Sequence, residues 1–136
     1  NPELAKQWHP TKNGNLKPTE VTANSHKNIW WLLQYDDQVT GKHFNFEWKA
    51  KVGNRNKGAG CPYLNGRMAW PGFNDLQTRY PMIAAMWHPA KNGEIQSNMV
   101  APYSTQKAWW IDWNGREVYR RIDSMVAMAK KRIYLE

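Results

Sequence analysis

Trp8-His9-Pro10-Thr11-Lys12-Asn13-Gly14, followed by Trp30-Trp31, returns as Trp87-His88-Pro89-Ala90-Lys91-Asn92-Gly93, followed by Trp109-Trp110. Every matched pair is 79 positions apart, and laying 1–31 on 80–110 without a gap gives twelve identities, from Pro2/Pro81 to Trp31/Trp110. A constant offset over so long a stretch is an internal duplication, and a duplicated sequence is read as two copies of one structural unit. The division expected is 1–66 and 67–136, with Asn65 to Gly72 as the linker through which like-folded copies pack.

Within each copy the elements follow from spacing. Pro2 to Trp8 has an early Pro, helix formers after it and Leu4 four residues before Trp8, which predicts a short helix; Pro81 to Trp87 is its counterpart, preceded by the capping stretch Asn74 to Tyr80. The His-Pro and Asn-Gly steps end the helix and turn the chain. Lys17-Pro18-Thr19-Glu20 reads as a single capped turn, with Val21 as an inward anchor. Strands are expected at Asn28–Leu33 and His43–Val52 in copy one. In copy two they are expected at Lys107–Trp113 and Arg116–Ile122, around the hairpin signal Asn114-Gly115. Phe44, Phe46, Trp48, Ala50 and Val52 alternate with polar residues, as a half-buried strand requires. Gly53 to Gly60 reads as a flexible basic loop. Ser124 to Arg132, with a Ser cap and cations in its last turn, predicts a terminal helix.

Composition bounds the function. The chain has 136 residues, 41% hydrophobic and 13% aromatic, which describes a folded protein. Units near 65 residues bury limited surface, so the nine Trp are first of all core material. Nineteen Lys+Arg against eleven Asp+Glu give a net charge of +8, and a polyanion is the default partner, nucleic acid ahead of membrane. No apolar run approaches the roughly 18 residues of a membrane span, and no charged-then-apolar signal pattern opens the chain. An opening on Asn1 rather than Met is consistent with trimming or processing, and a leader lost in that way. A single Cys excludes an internal disulfide and favours a reducing compartment, so a cytoplasmic location is expected.

Trp-His-Pro-x-x-Asn-Gly, then Trp-Trp, then Glu47-Trp48, then Gly58-Ala59-Gly60-Cys61-Pro62-Tyr63, resembles the bacterial zinc-ribbon or treble-clef repeats that occur in tandem and beside restriction-type nuclease domains. The resemblance covers nearly all of copy one, and copy two up to about Val118. It implies an α+β fold of two small modules, each a short helix followed by a β-hairpin, with a C-terminal helix. It also implies zinc ligands: a Cys two residues after Trp-Trp, a His in a Gly-His-Glu-Trp step, and both Cys of a Cys-Pro-x-Cys knuckle.

Carried over by position, those ligand sites are Leu33, Phe46, Cys61 and Leu64 in copy one, and Asp112 and Arg116 in copy two, which has no knuckle. Trp31 and Trp48 are seventeen residues apart where Trp110 and Val118 are eight, so copy one carries a nine-residue insertion around Gln34 to Lys42. Structural zinc needs four Cys or His ligands, and one thiolate does not supply them. The expectation is no metal and no other cofactor, with an apolar cluster of Leu33, Phe46 and Leu64 taking over the crosslinking role. His9, His26, His43 and His88 could recruit a metal with Cys61, but His9 and His88 recur in one local motif, where bonding to a turn is the plainer role.

Catalysis has no comparable signal. Cys61 has Pro62 beside it and no local motif names a base, Asp36-Asp37 and Asp112 lack nuclease spacing, and no phosphate-cradling Gly motif precedes a helix. The chain is therefore read as non-enzymatic, with no catalytic residues.

What remains is binding. From Lys42 to Arg67 six cations face one acid, Glu47; from Arg116 to Arg132 six face Glu117 and Asp123. The expected contact surface is Lys49, Lys51, Arg55 and Lys57 with Arg116, Arg120 and Arg121, holding phosphates of nucleic acid, DNA ahead of RNA. A solvated basic face with no ligand is the bland alternative, and exposed Trp could add base stacking. The competing reading is a protein-interaction module on a metal-free zinc-ribbon scaffold; a carbohydrate module on exposed Trp would leave the charge unexplained.

Overall fold

The computed structural model describes residues 1–133 and divides the chain into two compact units, Asn1–Leu64 and a second beginning at Asn65. Each unit repeats one plan. In the first, α1 (Pro2–Ala5) and a 3-10 turn (Pro18–Glu20) precede the hairpin β1 (Asn28–Asp36) and β2 (His43–Lys51), and α2 (Val52–Asn56) follows. In the second, α3 (Leu76–Arg79) and α4 (Pro81–Ala84), then a 3-10 turn (Ser97–Met99), precede β3 (Lys107–Ile111) and β4 (Glu117–Arg121), and α5 (Ile122–Ile133) closes the described chain. Both hairpins are antiparallel two-stranded ribbons. A lone ribbon is marginal in water, so each depends on what packs against it.

The repeated motif supplies that packing through the same bonds in both copies. Trp8 bridges to Trp31, and Trp87 to Trp110, so the segment after the short helix lies along the outer edge of the first strand. His9 N donates to the Trp30 carbonyl at 3.1 Å and Leu32 N to the Gln7 carbonyl at 2.7 Å; His88 with Trp109 and Ile111 with Met86 repeat this at 3.1 and 2.8 Å. Asn13 completes the edge with its amide, accepting from Trp30 N at 2.8 Å and donating to Trp30 O at 2.9 Å, and Asn92 treats Trp109 in the same way. The glycine that follows each Asn has φ near +60°, which explains the Asn-Gly pair: the first residue's side chain replaces a strand while the second makes the left-handed turn.

Of each Trp-Trp pair, the second residue points into its unit. Trp31 and Trp110 are 1% and 0% exposed, and they meet Trp8 and Trp87 in T-shaped contacts, at 5.8 and 5.2 Å. Their indole N–H groups donate to the carbonyls of Ala50 and Arg120 across the hairpin, so the buried rings leave no donor unmet.

The register shows where the insertion goes. Leu32 faces Glu47 and Ile111 faces Glu117, after which copy one adds Leu33↔Phe46, Gln34↔Asn45, Tyr35↔Phe44 and Asp36↔His43 before turning. The inserted residues therefore lengthen the ribbon, and the first strand runs to Asp36 rather than stopping at Leu33. Asp37 closes the turn by accepting from Thr40 Oγ1 at 2.7 Å. Copy two turns at once, with Asp112 accepting from Asn114 N and Arg116 N.

The units differ in how the helix after the hairpin is used. Ile122, Met125, Val126 and Ala129 of α5 join Leu76, Ile83, Val100 and Trp110 in one buried cluster. This helix begins two residues before the Ser124 start that the sequence suggests, with Asp123 in its first turn. Val52 opens α2 as Ile122 opens α5, but α2 ends at Asn56, and Gly53 to Asn56 is helical where a flexible loop was expected. An apolar groove of about 280 Å³ remains between α1, Val21, Trp31 and Val52.

Candidate nucleic-acid interface

The zinc positions are the first to resolve. Leu33 and Phe46 lie opposite each other in the ribbon, and Phe46 is fully buried, with ring centroids at 5.6 Å from Phe44, 6.1 Å from Tyr35 and 5.5 Å from Tyr63. Cys61 is buried in the same unit. Leu64 does not join the expected apolar cluster; it is 41% exposed, and Tyr63, one residue earlier, takes the inward place and donates its hydroxyl to the Glu47 carbonyl. In copy two, Asp112 caps the turn by accepting from Arg116 N. No group of three or more His, Cys, Asp or Glu suited to a metal occurs among the described residues. These side chains do not fit a zinc ion, and aromatic stacking ties the first hairpin to the Cys61–Tyr63 segment. Elemental analysis of the purified protein is expected to find no stoichiometric zinc, and a chelator to leave its unfolding midpoint unchanged; stoichiometric zinc, or unfolding on chelation, would contradict this fit.

Three of the four His make structural hydrogen bonds. His9 Nδ1 accepts from Thr11 N and Lys12 N, at 3.2 and 3.1 Å, so the proton lies on Nε2, which donates to Glu47 at 2.5 Å. Lys12 reaches the same carboxylate at 3.0 Å. His88, Lys91 and Glu117 repeat the arrangement, with His88 to Glu117 at 2.5 Å and Lys91 to Glu117 at 2.9 Å. His43 sits at the ribbon end, bonded to Asp36 and Asn45, and His26 is exposed.

Bonds from Lys12 and then His9 hold the Glu47 carboxyl below its ordinary value near 4.5, and bonds from His88 and then Lys91 do so for Glu117. A carboxyl held low in the folded state stabilises the fold above its unfolded pKa, and that contribution disappears as pH falls through the folded value. Stability is therefore expected to decline with acid below about pH 4.5, and Glu47→Gln with Glu117→Gln to flatten that decline. Thermal unfolding at stepped pH measures it; an unchanged slope in the double variant would remove these carboxylates as the cause.

The expected phosphate contacts divide by strand face. Lys49 and Lys51 are exposed on the outer face of β2, while Trp48 is buried and Ala50 half-buried on the inner one. Lys57 is exposed after α2. Arg55 does not belong to this surface: it is 7% exposed, its guanidinium lies 4.8 Å from the Trp31 ring and 5.1 Å from that of Trp48, and its Nε donates to the Ala59 carbonyl. Counting from the hairpins, it occupies the place of Met125. Desolvation lowers its pKa below the usual arginine value, and the paired rings compensate by cation–π attraction.

In copy two, Arg116 is exposed at the turn. Arg120 falls on the inner face, half-buried, with Nη1 3.5 Å from Met128 Sδ. Arg121 points outward but pairs with Asp123 through two bonds, at 3.1 and 2.7 Å, which raise its pKa and lower that of Asp123. Sequence reasoning missed the outer-face lysines of the repeated motif. Lys12 lies 4.5 Å from the Trp30 ring centroid and Lys49 5.8 Å, and Lys91 lies 4.6 Å from that of Trp109. The signal was present, since Lys12/Lys91 is one of the repeated identities.

A family model described as a probable treble clef zinc finger domain matches residues 4–67 and again 83–129. No curated protein and no solved structure matches the chain.

Proposed function

From the premise that the chain belongs to the probable treble clef zinc finger family, we propose that it is a non-enzymatic, metal-free tandem module that binds nucleic acid, chiefly the phosphates of DNA. The observation that carries this reading is the separation of charge from core on β2: Lys49 and Lys51 project outward from a strand whose other face holds Phe46 and Trp48. The contact cations are Lys49, Lys51 and Lys57 in the first unit and, separately, Arg116 and Lys107 in the second; Lys12 is already held by Glu47. Arg55 is left out as core, Arg120 as inward, and Arg121 as already neutralised by Asp123. The buried Cys61 and the absence of a metal-suited cluster among the described residues support a non-catalytic role.

The test is equilibrium binding of the whole chain to duplex DNA across a salt series. Log affinity is expected to fall linearly with log salt, with a slope of about −0.9 per phosphate contacted. Binding that ignores salt would favour a second reading, a protein-interaction module, for which the apolar groove beside Leu4, Trp8 and Val21 is the specific support.

No helix among the described residues is long and apolar enough to cross a membrane.

A further inference from the structure

The two hairpins are alike in backbone but differ at several outward strand positions, among them the partner of the repeated outward Trp. Opposite Trp30 stands Lys49; opposite Trp109 stands Tyr119. In the second unit the rings of Trp109 and Tyr119 therefore meet across the strands, with centroids 5.0 Å apart and planes inclined by 35°. Tyr119 is 53% exposed, so its ring is accessible on the outward face of β4. Beside the pair runs a groove of about 210 Å³, lined by Trp87, Asn92, Gln106 and Lys107 among others and by no carboxylate. Lys107 is exposed, with its ammonium 5.7 Å from the Tyr119 ring centroid. Lys91 covers Trp109 and is held by Glu117, so Lys107 is the cation on this groove with no ion pair among the described residues.

We propose that the Trp109–Tyr119 face of the second unit is a stacking platform for an unpaired base of single-stranded DNA, with Lys107 contacting a neighbouring phosphate. This rests on the nucleic-acid reading above and adds a ligand form to it. A duplex stacks its bases on one another and offers a protein only their edges, whereas a single strand offers ring faces to an exposed aromatic. An outward Tyr flanked by a cation matches the second presentation, and the outward Lys49 of the first unit matches backbone contact alone. Both copies thus hold phosphates, and the second also distinguishes paired from unpaired bases.

The experiment measures binding of the full chain to oligothymidylate and to a duplex of equal length, at one salt concentration, for the unmutated protein, Tyr119→Ala and Tyr119→Phe. Tyr119→Ala is expected to weaken single-strand binding by about tenfold and to leave duplex binding within about twofold. Tyr119→Phe keeps the ring and is expected to bind both forms as the unmutated chain does. Because Tyr119 faces outward, unfolding midpoints should agree among the three. Tyr119→Ala matching the unmutated protein on single strands, or weakening both forms equally, would overturn the platform while leaving the phosphate reading intact. An unmutated chain that binds neither form would overturn both.

Discussion

Replacing Trp110 by alanine is expected to destabilise the second unit by about 3–5 kcal/mol, a large share of what a small domain has to lose. Trp110 is fully buried within the cluster of Ile83, Val100, Ile122 and Met125, meets Trp87 in a T-shaped contact at 5.2 Å, and donates its indole N–H to the Arg120 carbonyl. Truncation removes the largest ring of that core, opens a cavity among side chains held by backbone bonds, and leaves a carbonyl short of its donor. The adjacent Trp109 is the internal control, being half-buried on the opposite face, and Trp109→Ala is expected to cost only about 1–2 kcal/mol. Urea unfolding of the two variants decides the matter. Equal midpoints, or a larger loss at Trp109, would mean that the faces of β3 have been assigned the wrong way round.

The second large effect concerns affinity. Converting Lys49, Lys51 and Lys57 together to alanine is expected to weaken duplex binding by on the order of a hundredfold near 0.1 M salt and to flatten the salt slope by about 2.7, since each lost phosphate contact removes about 0.9. All three are exposed and contribute nothing to the buried core, so the variant should unfold at the unmutated midpoint. Sequence preference should hardly change, because phosphate contacts carry no base information. Affinity and slope that both stay at the unmutated values would leave the outer face of β2 as solvated charge, and the groove of the first unit would become the better place to look for a partner.

The duplication makes most of the architecture legible in the amino-acid sequence. Trp8, His9, Asn13, Trp30 and Trp31 recur at a constant distance, and the bonds they make recur with them. What the sequence conceals lies beyond the insertion. Glu47 and Glu117 play one role toward His9 and His88, yet the inserted residues shift their offset from 79 to 70, so no fixed-offset alignment pairs them. Arg55 is hidden for a different reason. A guanidinium in a run of Gly and Asn has the composition of a loop, and only the closeness of the Trp31 and Trp48 rings, brought together by the strand register, turns it into a core residue. Tyr63 and Leu64 are both apolar enough to face inward; which one does is decided by the stacking reach of Phe46. Among the site cations, alternation along β2 separates Lys49 and Lys51 from the core correctly. Arg120 falls on the inward face because strand parity in copy two follows Trp110 and Val118.

The asparagine that stands in for a strand also bears on how a chain with nine Trp stays dispersed. A two-stranded ribbon has two open edges, each a template on which another molecule's strand can grow into an aggregate. Here Gln7, His9 and Asn13 take up the N–H and carbonyl of Trp30 and the N–H of Leu32, and Met86, His88 and Asn92 do the same for Trp109 and the N–H of Ile111. The opposite edge of the first ribbon belongs to β2, where Lys49 and Lys51 place like charges against any incoming copy. Each hairpin is thereby closed to self-templating along the Trp-Trp segment of its first strand, and the same lysines that suit a polyanion discourage the first ribbon from pairing with another copy.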